Sequence, residues 1–362
     1  MSGEPLTIVS IASLKGGVGK TTLAFVLAAT LVSRDEHVHA LMVDLDLEGT
    51  DLLDGVGQDL AEPKKSLCMA EWLCHIPSLE GPTSVPIERL LWVARGSDPS
   101  RKRFHVLPSQ VRGQDLDRVQ RILFSESYSS HVLCQVLRLG SAYLKWARSK
   151  DKKASVVLFL DCGPGMCAAA RSAFCLEEEL PHVWSAPHGL HSGPPRCVRL
   201  LVAGPERQGL LAGARYVVDH PSQVAEGRKR GEWRSLPEDE RKSRAELWAL
   251  EYLKKTWLIV NRLRALDPSG KRSSLPVDPA GDELGLFVVS QLWSADAAKK
   301  QLWNQFTGGD PGKGSKSHMV VIRENQLPRL FDYDSSDGAP RWSVLPKDSV
   351  TGLESLLTDL LS

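Results

Sequence analysis

The chain has 362 residues, of which 45 are Lys or Arg and 44 are Asp or Glu, so its net charge is +1. A charge this close to zero excludes a global attraction to nucleic acid or membrane, and any such binding requires a local patch. No apolar run reaches the roughly 20 residues of a membrane span. Seven irregularly spaced cysteines argue against a disulfide framework. The opening residues, MSGEPLTIVSIAS, carry no basic leader, so we expect a cytoplasmic protein.

The predicted elements alternate between strands and helices along the chain. Short apolar runs without polar alternation are typical of strands buried on both faces of a parallel sheet. Such runs are Leu6–Ala12, Val38–Val43, Phe104–Leu107, Val156–Leu160, Val183–Ala186, Thr256–Val260, Leu286–Val289 and Met319–Ile322. Helical patterns occupy Thr21–Ser33, Leu133–Arg148, Arg196–Ala203 and Arg244–Lys254. This order predicts a doubly wound α/β fold around a mainly parallel sheet.

Three stretches interrupt the alternation. Residues 55–100 contain several prolines, residues 226–244 are densely charged, and residues 307–317 are rich in Gly, Lys and Ser. None has the composition of an independent domain, so residues 1–362 are predicted to form a single domain with three insertions. The closing segment VTGLESLLTDLLS is amphipathic but acidic, which predicts a helix packed on the sheet rather than on anionic lipid.

A glycine-rich turn, KGGVGKTT, lies between the first predicted strand and the first predicted helix. Gly16, Gly17 and Gly19 let the backbone wrap closely around an anion, and the helix directs its positive dipole end at the same point. In such a loop Lys20 reaches the β- and γ-phosphates of a nucleotide, and the Thr21 hydroxyl ligates Mg²⁺. The residues expected to contact the nucleotide are Gly16, Gly17, Val18, Gly19, Lys20, Thr21 and Thr22.

The front of this loop departs from the usual phosphate-binding pattern, because Leu14 stands where a glycine is usual and Lys15 follows. The arrangement resembles the deviant Walker A motif of the ParA/MinD family of P-loop ATPases. In that family the extra lysine crosses a dimer interface and contacts phosphates bound by the other subunit. The resemblance implies that Lys15 joins Lys20 in catalysis and couples ATP binding to homodimerisation. The alternative for Lys15 is a solvated loop lysine.

The segment LMVDLDLEG, at the end of the second predicted strand, resembles the DxDPQG segment of the family. The resemblance implies that Asp46 positions the attacking water and that Asp44 supports the magnesium shell. The common Pro-Gln is Leu47-Glu48 here, which is a departure from the family pattern in the first switch. The alternative for the two aspartates is capping of the strand-to-loop turn.

Two later segments also resemble the family at strand ends. SVVLFLDCGPG resembles a Walker B strand, which implies that Asp161 holds a magnesium-bound water and the Thr21 hydroxyl. KTWLIVNRLRA resembles a strand that ends in Asn, which implies that Asn261 hydrogen-bonds the adenine edge. A core strand that ends in a turn-forming Asn is the alternative. The implied magnesium ligands are therefore Thr21, Asp44 and Asp161.

The resemblance implies an ATP- and Mg²⁺-dependent dimerisation switch with slow hydrolysis that a protein partner stimulates. In a ParA-type switch, the ATP-bound dimer binds DNA without sequence preference to partition or position a cargo. Residues 226–244 supply basic candidates for DNA, although interspersed acidic residues make a solvated, salt-bridged helix the alternative. The competing function is a MinD-like switch that docks a dedicated protein partner or membrane complex without binding DNA. The basic candidates are Arg228, Lys229, Arg230, Arg234, Arg241, Lys242 and Arg244.

Overall fold

A computed structural model describes most of the chain. The described residues are 6–47, 52, 60–74, 86–94, 99–109, 128–165, 168–174, 176, 195–204, 206–263, 281–308, 317–323 and 353–361. The predicted strand Val183–Ala186 lies outside these residues.

The described residues form one sheet of nine strands. The strands are β1 (Leu6–Ser13), β2 (Val38–Asp44), β3 (Leu60–Ala61), β4 (Trp92–Ala94), β5 (Phe104–Leu107), β6 (Ser155–Asp161), β7 (Arg196–Ala203), β8 (Thr256–Leu263) and β9 (Met319–Arg323). Their order across the sheet is β3-β4-β5-β2-β6-β1-β7-β8-β9. All neighbouring strands from β5 to β9 in this order are parallel, and β3 and β4 pair antiparallel at one edge. The predicted α/β fold with a mainly parallel sheet is confirmed.

Helices cover both faces of the sheet. They are α1 (Lys20–Arg34), α2 (Met69–Cys74), α3 (Ile87–Leu90), α4 (Tyr128–Lys150), α5 (Ala168–Phe174), α6 (Arg207–Arg230), α7 (Glu238–Lys254), α8 (Gly281–Leu292), α9 (Ala297–Thr307) and α10 (Leu353–Leu361). Ile8 of β1 belongs to the apolar core that α4 and α6 cover, whereas its neighbour Val9 belongs to the core under α1 and α10. Successive strand residues therefore feed two cores, as a doubly wound fold requires.

Two of the predicted elements are wrong in type. Arg196–Ala203, predicted as a helix, is the interior strand β7, and Leu286–Val289, predicted as a strand, lies within helix α8. In β7 the charged Arg199 is only 1% exposed, because its Nε donates to the Phe174 carbonyl at 2.7 Å and its guanidinium stacks on Tyr252. An apolar run as short as four residues fits a buried helix as well as a strand, which explains the second error.

The predicted insertions have different fates in the structure. Within 55–100, β3 and β4 extend the sheet, and residues 226–244 form the end of α6, a turn and the start of α7. Residues 309–316 lie outside the described part of the chain. Among the described helices, none combines the length and the apolar character needed to cross a membrane. The acidic helix α10 buries four leucines against the sheet, as predicted from its pattern; they are Leu353, Leu356, Leu357 and Leu360.

Candidate nucleotide-binding site

The carboxyl ends of the parallel strands meet at one edge of the sheet, where open α/β sheets bind ligands. The loop after β1 winds tightly at this edge, because Gly17 and Gly19 adopt left-handed backbone angles, with φ of 72° and 82°. Gly19 is also the N-cap of the 15-residue helix α1 and has no side chain to occupy the first-turn N–H groups. These groups and the helix dipole therefore favour an anion at the loop.

Lys20, Thr21 and Asp161 come together beneath this loop. Lys20 is buried in the first turn of α1, and the Thr21 side chain hydrogen-bonds Asp161 at the end of β6. Burial raises the pKa of Asp161 to about 6, although the Thr21 hydrogen bond and the Lys20 charge act in the opposite direction. The structure thus brings together a cation, a hydroxyl and a carboxylate that were predicted from two motifs.

The donor set at Asp161 fits a magnesium ion. Its Oδ1 atom is buried and has no hydrogen-bond partner among the described residues, which is costly for a carboxylate oxygen. Carboxylate, hydroxyl and water oxygens are the ligands that Mg²⁺ prefers in proteins. Because the Thr21 side chain hydrogen-bonds the same carboxylate, Thr21 and Asp161 can face one hydrated cation.

Asp44 lies beside Asp161, since the two residues are register partners on β2 and β6. Burial, followed by the Asp161 charge, raises the pKa of Asp44 well above its usual value. Its Oδ1 accepts from the Asp46 backbone N–H at 2.9 Å, and its Oδ2 accepts from the Ser109 N–H at 3.4 Å. Asp44 therefore organises the loop that carries Asp46; its predicted place in the magnesium shell stays a prediction.

The Asp46 carboxylate packs against the loop after β6. A Cβ atom built on Gly163 would lie 3.1 Å from Asp46 Oδ1 and 3.3 Å from its Cγ, so a larger residue would crowd this carboxylate. Leu47, which stands in the place of a family proline, is 4% exposed and belongs to the apolar core. This burial anchors the loop directly after Asp46. Glu48 lies outside the described residues.

Asn261 is buried at the end of β8 and faces the phosphate loop. Its Nδ2 atom donates to the Val18 carbonyl at 2.6 Å, and its Oδ1 atom is buried with no hydrogen-bond partner in the described structure. The side chain thus fastens β8 to the loop. Its predicted contact with adenine stays a prediction. The Oδ1 atom is the one that would be available for such a hydrogen bond.

Lys15 lies on the outside of the same loop and points away from the buried cluster. Its side chain is 71% exposed, and its Nζ atom contacts Glu206 Oε1 at 2.9 Å. The Lys15 ammonium lowers the pKa of Glu206. Sequence reasoning missed Glu206, because the residues before it were interpreted as a helix and not as a strand that ends at the site.

The family of the chain follows from a match to a known domain. The model of the CobQ/CobB/MinD/ParA nucleotide binding domain matches residues 9–272. The chain belongs to this family. The matched range begins within β1 and includes the phosphate loop, Asp46, Asp161 and Asn261. No curated protein is significantly similar to the chain.

Several solved structures match the chain at low sequence identity. A McdA variant from Cyanothece in complex with ATP is 14% identical over 90% of this chain and 85% of that chain, with a TM-score of 0.43. A putative plasmid partition protein from Borrelia burgdorferi B31 bound to AMPPNP is 12% identical over 99% and 98%, with a TM-score of 0.42. The MinC:MinD complex of Aquifex aeolicus is 14% identical over 92% and 86%, with a TM-score of 0.39.

Proposed function

We propose that the protein is an ATP-dependent molecular switch that binds and hydrolyses Mg-ATP and dimerises in its ATP-bound state. The observation that carries this proposal is the convergence of Lys20, Thr21 and Asp161 beneath a left-handed glycine loop, in a chain of the ParA/MinD nucleotide-binding family. The loop, the cation and the unpartnered carboxylate oxygen are complementary to a metal-bound polyphosphate.

The residues divide the chemistry of phosphoryl transfer among them. Such reactions depend mainly on positioning and on stabilisation of charge at the transferred group. The loop N–H groups and Lys20 bind the phosphates, while Thr21 and Asp161 hold the magnesium ion, which neutralises charge on the phosphate oxygens when bound. Asp46, held between the backbone link to Asp44 and the surface of Gly163, orients the attacking water.

The division of roles predicts different defects in two variants. Lys20→Ala removes the buried phosphate ligand, so the protein loses measurable ATP binding. Asp46→Ala leaves the phosphate loop intact, so the protein binds ATP with an affinity near that of the wild type but hydrolyses it at least about 10²-fold more slowly. Calorimetric ATP titration and phosphate release measure the two effects. Normal hydrolysis by Asp46→Ala would remove Asp46 from the mechanism.

Lys15 is the basis for proposing dimerisation. It lies outside the cluster of Lys20, Thr21 and Asp161 in the same chain, and its ammonium is largely solvent-exposed. An exposed cation directly beside a phosphate site gains most when it meets another phosphate group in a seam that excludes water. A second copy of the chain presents such a group when both copies carry ATP.

We further propose that the ATP-bound dimer binds DNA without sequence preference. The α6–α7 hairpin supports this proposal. The end at which the two helices are connected forms a groove of about 520 Å³ lined by five basic and two acidic residues. Of the basic residues, Lys229 is paired with Glu226 and Arg230 also acts electrostatically on Glu226, whereas Arg234, Arg241 and Lys242 make no ion pair within the described structure. Unpaired guanidinium groups bind phosphate oxygens well.

The DNA proposal is tested with Asp46→Ala protein, in which ATP persists. Binding of a random-sequence duplex is measured with ATP, with ADP and without nucleotide, across a salt series. We expect binding only with ATP, and log affinity should fall linearly as log salt rises. An absence of binding in every state, while ATP still causes dimerisation, would contradict the proposal and favour a MinD-like switch that docks a protein partner.

The hairpin groove is tested with a charge-matched pair of variants. Arg234→Gln removes an unpaired groove cation and should lower the salt slope by about 1. Lys254→Gln removes the same charge from the other end of α7, where the lysine pairs with Glu251, and should leave the slope unchanged. Equal effects of the two variants would show that net charge rather than the groove controls binding.

A further inference from the structure

Lys15 is held by an acidic residue of its own chain. Its Nζ atom lies 2.9 Å from Oε1 of Glu206, the residue directly before α6. The contact joins the loop after β1 to the loop after β7, and these two strands are hydrogen-bonded neighbours in the sheet. Because the strands are parallel, the pair lies at the edge of the sheet where the phosphate loop begins.

The Glu206 carboxylate packs closely against two glycines. A Cβ atom built on Gly204 would lie 2.3 Å from Oε2 of Glu206, and one built on Gly209 would lie 3.2 Å from its Cδ atom. Neither glycine adopts a left-handed backbone angle, so both positions are restricted by the space that the carboxylate fills. A side chain at Gly204 would force the carboxylate away from Lys15.

Glu206 also gives up a more ordinary role to make this contact. It is the N-cap residue of the 24-residue helix α6, yet its side chain makes no capping hydrogen bond. A carboxylate at this position interacts favourably with the helix dipole in either orientation of its side chain. In the observed orientation, one carboxylate oxygen contacts Lys15 and the other lies against Gly204. The side chain therefore contacts the lysine and the glycines and not the N–H groups of the first helical turn.

We propose that Glu206 is a positioning residue that retains Lys15 within its own chain and thereby opposes ATP-dependent dimerisation. This inference rests on the proposed function, in which Lys15 reaches the phosphates bound by a second copy. One ammonium cannot keep its contact with Glu206 and cross the interface, so the two contacts compete. The pair is solvent-exposed, with side-chain exposures of 71% and 40%, so the restraint is weak and screened by salt.

The decisive measurement is the dissociation constant of the ATP-bound dimer, obtained by sedimentation velocity in an Asp46→Ala background. Glu206→Gln removes the charge that retains Lys15 and should tighten the dimer by about two- to fivefold at low salt, with the difference shrinking as salt rises. Glu251→Gln is the matched control, because Glu251 also forms a solvent-exposed pair with a lysine, Lys254 on α7. It should leave the dimer unchanged.

Two further variants separate the contact from a general charge effect. Gly204→Ala displaces the carboxylate without removing it, so it should tighten the dimer in the presence of Glu206 and have no additional effect in Glu206→Gln. Glu206→Asp keeps the charge at the start of α6 but shortens its reach, so it should also tighten the dimer. Wild-type behaviour of Glu206→Asp would assign the effect to the helix and overturn the proposal.

The outcomes also distinguish this inference from the function on which it rests. If Lys15→Ala abolishes dimerisation and Glu206→Gln equals or weakens the wild-type dimer, Glu206 does not oppose dimerisation and only the inference fails. If Lys15→Ala dimerises with ATP as fully as the wild type, the role proposed for Lys15 fails, and the inference fails with it.

Discussion

Two lysines of one loop meet opposite environments. Lys20 is 8% exposed and interacts electrostatically with the Asp161 carboxylate. The Lys15 side chain is 71% exposed and contacts Glu206. A buried lysine beside a carboxylate is fixed in place, and an exposed lysine in a weak pair is free to exchange its partner. This difference in burial is the residue-level basis for assigning one lysine to the bound nucleotide and the other to a second subunit.

Gly163 is predicted to control hydrolysis through Asp46. In Gly163→Ala the added methyl group lies about 3 Å from the Asp46 carboxylate, so the carboxylate shifts and hydrolysis slows by roughly ten- to a hundredfold, while ATP binding is retained. Phosphate release and calorimetric titration check the two parts. Gly227→Ala on α6, where a Cβ meets nothing within 4 Å, is the control. Unchanged turnover in Gly163→Ala would contradict the positioning of Asp46.

His105 is predicted to make stability depend on pH. Burial lowers its pKa to about 3 in the folded state, so the unfolded chain binds the extra proton below about pH 6.5. The group therefore stabilises the fold at neutral pH, and this contribution falls by about 1.4 kcal/mol from about pH 7.5 to about pH 5.5. Urea unfolding at both pH values should show a correspondingly smaller loss for His105→Gln. An identical loss would exclude this linkage.

At the scale of elements, apolar patterning predicts most of the sheet but fails where burial and residue type conflict. Six predicted strands coincide with observed strands because their apolar runs are buried on both faces. Strand β7 was mistaken for a helix, since nothing in the sequence shows that Arg199 is buried by a carbonyl and a tyrosine ring from distant parts of the chain. The short strands β3 and β4 were missed because they are two and three residues long.

Helix α10 is predicted to stabilise the domain through its leucine face. Leu356 is fully buried under the sheet, so Leu356→Ala should lower the free energy of unfolding by about 2–5 kcal/mol. Leu361, at the end of the same helix, is 39% exposed, and Leu361→Ala should change stability by less than about 0.5 kcal/mol. Urea unfolding of both variants measures the contrast. A similar cost for both would mean that α10 does not pack on the sheet as described.

At the scale of the whole molecule, the candidate site is assembled from loops far apart in sequence. Motifs predict Lys20, Asp46 and Asp161, because a strand, a glycine turn and a carboxylate at a strand end each leave a local pattern. Glu206 leaves no such pattern, since its role depends on the adjacency of β1 and β7 and on the small size of Gly204. The same adjacency places the exposed Lys15 at the rim of the site, where a second molecule can reach it.

The measurement that tests the switch most directly is the mass of the protein in solution with and without ATP. Sedimentation velocity is carried out on the wild type, on Lys15→Ala and on Lys153→Ala, a control that removes an exposed lysine beyond the opposite end of β6. We predict that ATP converts the wild type and the control from monomer to dimer and leaves Lys15→Ala monomeric although it still binds ATP. Full ATP-dependent dimerisation of Lys15→Ala, or a wild type that stays monomeric with saturating ATP, would contradict this prediction.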